Sequence, residues 1–281
     1  MNYEFNLEEW LPRFPLEDLH GHYSGDDITS PCDICNNEWL RRGMQDQFTW
    51  GPPVPVDVFV HSLGEPGNRF ATKIGGLPYR PRDSPWPQTS AGRSMALLAQ
   101  FNFTNSRDII GNTPDDLLLI FGDDSDGPVE PLHFEWQPLG LSDLVAALPQ
   151  DCMQVSPCYG NRCRTVSFPN AQQSTDEYYP KCDGKDVWSS YWVPQYQATQ
   201  IGRAPFFIQQ GDDDFPGHPL CTIASVQPDA HKPYPWVNHP EPLCPEGKWP
   251  RDGDELMIGD LGCIFVFMDD DGRIQFGESC Y

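Results

Sequence analysis

Basic residues are scarce in this sequence. Its 18 Lys and Arg stand against 41 Asp and Glu, which gives a formal net charge of −23. Binding to nucleic acids and docking on anionic membranes both depend on clustered Lys and Arg, so the composition argues against these two classes of partner. An acidic surface commonly serves solubility, and it can also steer a protein toward a basic partner. Where the charge serves binding, we therefore expect the partner to be a basic protein.

Long apolar runs are also missing. No run approaches the roughly 18 apolar residues of a membrane-spanning helix, and the mean hydropathy is −0.52. The first residues have neither the basic nor the apolar region that is typical of a signal peptide. We expect a cytoplasmic protein in which most of the 10 cysteines are free thiols, because the cytosol is reducing.

The sequence also lacks the familiar catalytic motifs. The sequence has no P-loop, no nucleophile elbow and no H-E-x-x-H zinc motif. The pair Gly75-Gly76 is too short for a phosphate loop, and we interpret it as a turn that needs unusual backbone angles. The 7 His and 10 Cys leave room for a Cys/His pair assembled by folding, which the sequence does not identify. The sequence thus favours a non-enzymatic protein and leaves enzymatic activity open.

Two cysteines near the N-terminus form the best candidate for a metal site. Cys32 and Cys35 have the C-x-x-C spacing with which two thiolates hold one zinc ion. A structural zinc site needs four ligands, and no second C-x-x-C is present. The candidates for the two other ligands are His20, His22, Cys158 and Cys163. A structural zinc ion is one hypothesis for this segment, and unliganded cysteines are the other.

Proline and aromatic residues are abundant instead. The chain has 30 Pro, 9 Trp and 16 Phe, a combination typical of ordered proteins with long, stiff loops rather than of disordered proline-rich chains. Trp86 lies beside a proline, and Tyr191 and Trp192 lie in the aromatic segment 189–196. Aromatic loops either line a binding groove or anchor a loop on a sheet. We take these three residues as candidate binding residues, with loop anchoring as the competing interpretation.

The order of motifs in residues 72–127 occurs again in residues 199–272. Each stretch begins with Ile-Gly-x-x-Pro, contains an Asp-Leu-x-x-Ile-Phe strand and ends in an Asp/Gly turn. The second copy is longer, and we place its insertion in the proline-rich stretch 228–250. An internal duplication of this kind predicts two pseudo-symmetric halves.

The series Lys73–Pro78, Trp86-Pro87 and Leu97–Phe103 resembles the YwqG-like family, a bacterial family of uncharacterised domains. The resemblance spans about 54–281 and implies an α+β fold with two similar halves dominated by antiparallel strands. It implies no established reaction and no agreed catalytic residues. Because some family members are encoded near bacterial polymorphic toxins, it also implies a toxin-neutralising role.

We therefore predict an α+β fold, made mainly of antiparallel strands with short helices, in which two pseudo-symmetric repeats form one compact unit. Residues 1–53 are expected to extend a domain over 54–281, whose repeats cover about 54–150 and 198–281. The clearest predicted helix covers 142–148, because Ser142 can cap it and a proline follows it.

The predicted function is non-enzymatic binding of a protein partner, of a toxin-neutralising type. The alternative is an enzyme or a small-ligand-binding protein that uses a cleft between the two repeats. In that alternative, Gln100, Gln209 and Asp260 are the polar groups that meet on apolar walls. A deep cleft with convergent polar groups would favour the alternative, and a flat acidic or aromatic surface would favour protein binding.

Overall fold

The computed structural model describes residues 54–123, 132–167, 181–182, 185–186, 198–202, 217–226, 256–259 and 262–280. The predicted N-terminal extension lies outside these described residues. Six of the residues predicted as sites lie outside them as well: Cys32, Cys35, Tyr191, Trp192, Gln209 and Asp260. Trp86 and Gln100 are described.

Strands make up nearly all the regular structure of the described residues. They are β1 (Val54–Leu63), β2 (Lys73–Ile74), β3 (Ala96–Asn102), β4 (Leu117–Gly122), β5 (His133–Gln137), β6 (Cys158–Ser167), β7 (Lys181–Cys182), β8 (Lys185–Asp186), β9 (Gln200–Gly202), β10 (His218–Ala224), β11 (Cys263–Met268) and β12 (Ile274–Ser279). One short helix, α1 (Arg107–Ile110), lies between β3 and β4.

Ten of these strands form a single antiparallel sheet that curls on itself. Their order is β12-β11-β10-β9-β1-β6-β2-β3-β4-β5, while β7 and β8 pair separately. The two end strands approach each other, because the ring centroid of Phe134 on β5 lies 5.9 Å from that of Phe276 on β12. The sheet is therefore a nearly closed barrel.

The predicted α+β fold is wrong, because the described residues are almost all antiparallel sheet and α1 has only four residues. The helix predicted over 142–148 does not form, and Asp143 there has a φ of 39°. The backbone of this segment bonds to another loop instead. The Arg82 N–H donates to the Asp143 carbonyl and the Val145 N–H donates to the Arg80 carbonyl, each at 2.9 Å. These tertiary hydrogen bonds take the place of the i to i−4 bonds of a helix.

The strand β4 is buried on both faces. In β4, Leu118 and Ile120 belong to the main core, while Leu119 and Phe121 pack against Met95 on the opposite face. All six residues of β4 are buried. A strand covered on both faces is apolar at every position, which explains why β4 is a continuous apolar run rather than an alternating one.

The strand pairing is approximately two-fold symmetric. The series β2-β3-β4-β5 has the same pairing order as the series β9-β10-β11-β12. Each series has a register shift at the same place, between Leu97 and Ala99 in β3 and between Pro219 and Cys221 in β10. An irregularity that recurs at matching positions supports a structural correspondence between the two series.

The two longest strands exchange partners between the halves. β1 and β6 pair with each other, yet β1 also pairs with β9 and β6 also pairs with β2. Ile74 and Ile201 correspond, since their partners in β3 and β10 directly follow the two register shifts. Ile74 also pairs with Cys158, and Ile201 also pairs with Asp57. Asp57 on β1 therefore occupies the position that Cys158 occupies on β6.

Candidate functional site

A glycine pair turns the chain directly after β2. Gly75 and Gly76 have φ values of 61° and 70°, in the left-handed region that favours glycine. A Cβ on Gly75 would lie 2.4 Å from the Val155 carbonyl oxygen, and one on Gly76 would lie 2.0 Å from a carboxylate oxygen of Glu65. The turn predicted from the sequence is confirmed. Gly75 is needed for space as well as for conformation, because the atom that a Cβ would meet there belongs to the backbone.

Beside this turn, a buried ammonium group meets a carboxylate. The side chain of Lys73 is 0% exposed and that of Glu65 is 36% exposed. The Lys73 Nζ donates to Glu65 Oε2 at 2.7 Å and also to the Leu77 carbonyl. The Leu77 N–H donates to Glu65 Oε1 at 2.6 Å. Burial lowers the pKa of Lys73, and the hydrogen bond to Glu65 acts in the opposite direction.

Gln100 fastens the loop that contains this turn to the sheet. Its Oε1 accepts from the Tyr79 N–H at 2.8 Å, and its Nε2 donates to the carbonyls of Arg69 and Ala71 at 2.9 Å and 2.8 Å. The side chain is fully buried. Its amide is thus committed to the backbone of the protein.

Trp86 anchors the following part of the same loop. Its Nε1–H donates to the Met95 carbonyl at 2.9 Å, and its ring meets Phe121 edge to face with centroids 5.7 Å apart. The guanidinium of Arg80 lies 5.5 Å from the ring centroid and forms a two-point ion pair with Glu135. Trp86 and Gln100 therefore both hold the loop against the sheet.

Folding brings together a cysteine and a histidine that the sequence did not identify. His61 lies on β1 opposite Gly160, and its Nδ1 is 3.6 Å from the Sγ of Cys158. Burial lowers the pKa of His61 to about 4 and raises that of Cys158 to about 12. Both groups are neutral near pH 7, whereas a nucleophilic cysteine needs a depressed pKa. Side chains alternate along β1, so His61 lies on the same face as the core residue Phe59. This alternation is the feature of the sequence from which the burial of His61 could have been predicted.

A buried ionic network occupies the matching place in the other half. Asp57 is 0% exposed and accepts from Arg164 Nε at 2.6 Å, from Arg164 Nη2 at 3.0 Å and from Ser106 Oγ at 2.6 Å. Arg162 Nη1 lies 3.4 Å from the same carboxylate. Hydrogen bonds to Asp108 and then Asp57 raise the pKa of Arg164. The network joins the segment around α1 to β1 and β6.

The symmetry of the pairing makes the two clusters counterparts. Asp57 corresponds to Cys158, and by the same register Arg162 corresponds to His61. One half thus holds a charged pair where the other half holds a neutral one. Neither arrangement is an activated catalytic dyad, because the carboxylate is neutralised by arginine and the thiol is protonated.

Metal and membrane features were searched over the same parts of the chain. Within the described ranges, no group of three or more His, Cys, Asp or Glu residues is placed to hold a metal ion. No helix among the described residues is long and apolar enough to cross a membrane.

Residues 72–138 match a family model described as a domain of unknown function, DUF1963. No curated protein matches the chain. The matching stretch contains β2 to β5, the glycine turn, Gln100 and Trp86. The matching stretch thus covers the strand series β2-β3-β4-β5 and the loop that Trp86 holds.

Proposed function

We propose that this protein is a non-enzymatic binding protein whose partner is a basic protein. The observation that carries the proposal is that the described Lys and Arg side chains are already bound by groups of the same chain. Apart from Arg69, each Lys or Arg whose side chain is described forms an ion pair within the chain. The pairs are Lys73–Glu65, Arg80–Glu135, Arg82–Asp143, Arg93–Asp123, Arg107–Asp116, Arg162–Asp57, Arg164–Asp57, Arg164–Asp108 and Arg273–Asp271.

The remaining cation among the described side chains, Arg69, is engaged as well. Arg69 Nη2 donates to the carbonyls of Pro78 and Val145 at 3.0 Å and 2.9 Å. The chain has 23 more carboxylates than Lys and Arg, from 41 minus 18. With these cations already paired, the acidic excess attracts cations from outside the chain. A negative surface of this kind accelerates encounter with a positively charged protein and repels an acidic one.

The described thiols also support binding rather than catalysis. Burial raises the pKa of Cys152 to about 11, that of Cys158 and Cys263 to about 12, and that of Cys221 well above its usual value. A thiol that stays protonated is a poor nucleophile. The five cysteines whose side chains are described are free, which suits the cytoplasmic location that belongs to this proposal.

Membership in the YwqG-like family is part of the same proposal. Its support is the motif series from Lys73 to Phe103, which lies inside the stretch that matches a domain of unknown function. A toxin-neutralising role follows from that resemblance and fits a partner of opposite charge. The partner is then a basic toxin, and binding blocks it by occupying its surface.

The proposal is tested by capturing partners from the native cell at low salt and measuring association rates at several ionic strengths. Attraction between exposed charges is screened within about 8 Å at physiological salt, so we expect the association rate to fall as salt rises. Replacing the exposed acids Asp83 and Asp270 by Asn should slow association. The matched control is Asn112→Gln at an exposed neutral position. Partners that are all neutral or acidic, or a rate that ignores salt, would contradict the proposal.

We separately propose that Cys32 and Cys35 bind a structural zinc ion. The support is their C-x-x-C spacing. Metal analysis of protein purified without added zinc should find about one equivalent, and the double variant Cys32→Ser/Cys35→Ser should lose it. Cys280→Ser, at a described free cysteine, is the control. Less than about a tenth of an equivalent in the unaltered protein would refute zinc binding at this spacing.

A further inference from the structure

The carboxylate of Glu65 is held by two donors from the segment that follows it in the chain. Its two oxygens are bound separately, one by the Lys73 ammonium at 2.7 Å and the other by the Leu77 N–H at 2.6 Å. Both donors lie inside the stretch 72–138 that matches the family model, and Glu65 lies outside it. Glu65 lies eight residues before Lys73, so the acid comes from the loop that precedes β2.

The donors are held in place by the framework. Lys73 lies on β2, and the backbone N–H groups of Gly75 and Gly76 bond to the carbonyls of Leu98 and Val155 at 3.1 Å and 3.2 Å. The Lys73 side chain is fully buried, and a buried ammonium group is costly without an anion beside it. The site therefore needs a negatively charged occupant.

The acid that fills the site comes from the surface. Glu65 follows Gly64, which has a φ of 90°, and its side chain is 36% exposed. The carboxylate thus reaches the buried ammonium from the solvent side. A Cβ at position 76 would lie 2.0 Å from the Glu65 oxygen, so the glycine keeps open the space that the carboxylate uses.

We propose that Lys73 and the Leu77 amide form a carboxylate-binding site, which Glu65 fills from within the chain and which an external carboxylate ligand occupies when Glu65 leaves. The ligand is a molecule with a terminal carboxylate group. Its two oxygens take the places of Glu65 Oε2 and Oε1, and the rest of the ligand points to the solvent as the Glu65 side chain does. This site goes beyond the proposed binding of a basic protein and does not depend on it.

The test uses the variant Glu65→Ala with acetate as the probe and acetamide as its neutral counterpart. We expect the variant to melt at a lower temperature than the unaltered protein, because Lys73 loses its anion. Acetate should raise the Tm of the variant in a saturable manner, and acetamide should not. In the unaltered protein, half-saturation should need at least about tenfold more acetate, because the tethered Glu65 competes at an effective concentration on the order of millimolar or above.

The double variant Glu65→Ala/Lys73→Met is the matched control, since it removes both charges. Its Tm should not respond to acetate beyond the general effect of salt. An equal response in the single and double variants, or an equal effect of acetamide, would overturn the proposal. Should Glu65→Ala fail to fold, Glu65→Ser also removes the carboxylate and leaves the site open, and the amide resonance of Leu77 reports on acetate. No change of that resonance would overturn the proposal as well. No protein partner is needed, so this outcome is independent of the test of the proposed function.

Discussion

The ring of Phe134 lies against the ring of Phe276, with centroids 5.9 Å apart and planes inclined by 49°. The two residues are counterparts in the symmetric pairing. Phe134 pairs with Ile120 and Phe276 pairs with Val266, and these two partners in turn pair with Ala99 and Cys221. Among the described strands, β5 and β12 are the two ends of the sheet. Side-chain contact between equivalent aromatic residues thus brings the ends of the barrel together.

We expect Phe134 and Phe276 to be energetically coupled. In a double-mutant cycle with Phe→Leu at each position, the coupling should be about 0.5–1.5 kcal/mol, because an aromatic pair adds that much beyond area burial. Urea unfolding of the four proteins measures it. The control cycle pairs Phe276→Leu with Phe70→Leu, since Phe70 packs on Tyr79 instead. Additive losses at Phe134 and Phe276 would show that the ring contact does not stabilise the seam.

Gly75→Ala should be much more destabilising than Gly92→Ala. Both glycines have positive φ, 61° and 77°, so the conformational cost is similar. A Cβ at position 75 meets the Val155 carbonyl oxygen at 2.4 Å, whereas one at position 92 meets nothing within 4 Å. We expect an additional loss of about 1–3 kcal/mol at position 75 from overpacking. The free energies of unfolding of the two variants give this difference directly, and equal values would contradict the steric argument.

Asp57→Asn should destabilise the protein by about 3 kcal/mol or more, because it leaves two arginines beside a buried group that no longer carries a charge. The control is Asp108→Asn, which removes the other ion pair of Arg164 at a side chain that is 64% exposed. An exposed pair contributes roughly 0–1 kcal/mol. Chemical denaturation of both variants separates the buried contribution from the exposed one. A similar loss for the two variants would mean that burial of Asp57 is unimportant.

Because of His61, the free energy of unfolding should decrease as the pH falls from about 6.5 to about 4. Burial holds the folded pKa at about 4, below the ordinary value of 6.5, so the unfolded chain binds the proton first. The difference corresponds to about 3 kcal/mol of stability, fully present above pH 6.5 and lost progressively toward pH 4. His61→Leu should remove this part of the pH dependence of unfolding.

The control for His61 is Asn112→Gln, because this exposed side chain has no titratable group. The free energy of unfolding is measured at several pH values between about 4 and about 7, a range that covers the folded and the unfolded pKa of His61. The control variant should show the same pH dependence as the unaltered protein. If His61→Leu also keeps the full pH dependence of the unaltered protein, then burial does not lower the pKa of His61 in the folded state, and the prediction is wrong.

Local patterns predicted the parts of the fold that depend on neighbouring residues. The apolar run in β4 forms the predicted strand, and the Asp/Gly turn at 269–272 connects β11 to β12 as predicted. Gly272 there has a φ of 79°, and the Asp269 N–H donates to the Arg273 carbonyl at 3.0 Å. The helix predicted over 142–148 is wrong, because the backbone of this segment forms hydrogen bonds with residues about 60 positions away. Local helix signals contain no information on such bonds.

The sequence by itself determined the acidic charge, the repeated order of motifs and the need for glycine at positions 75 and 76. Only the tertiary structure decided that Glu65 fills the site beside Lys73, and that Asp57 meets Arg164 across 107 positions of the chain. Strand neighbours in a barrel are set by long-range pairing, which residue types along a strand do not specify. The pKa values of His61 and Cys158 likewise follow from burial, and burial exists only once the whole sheet has closed around them.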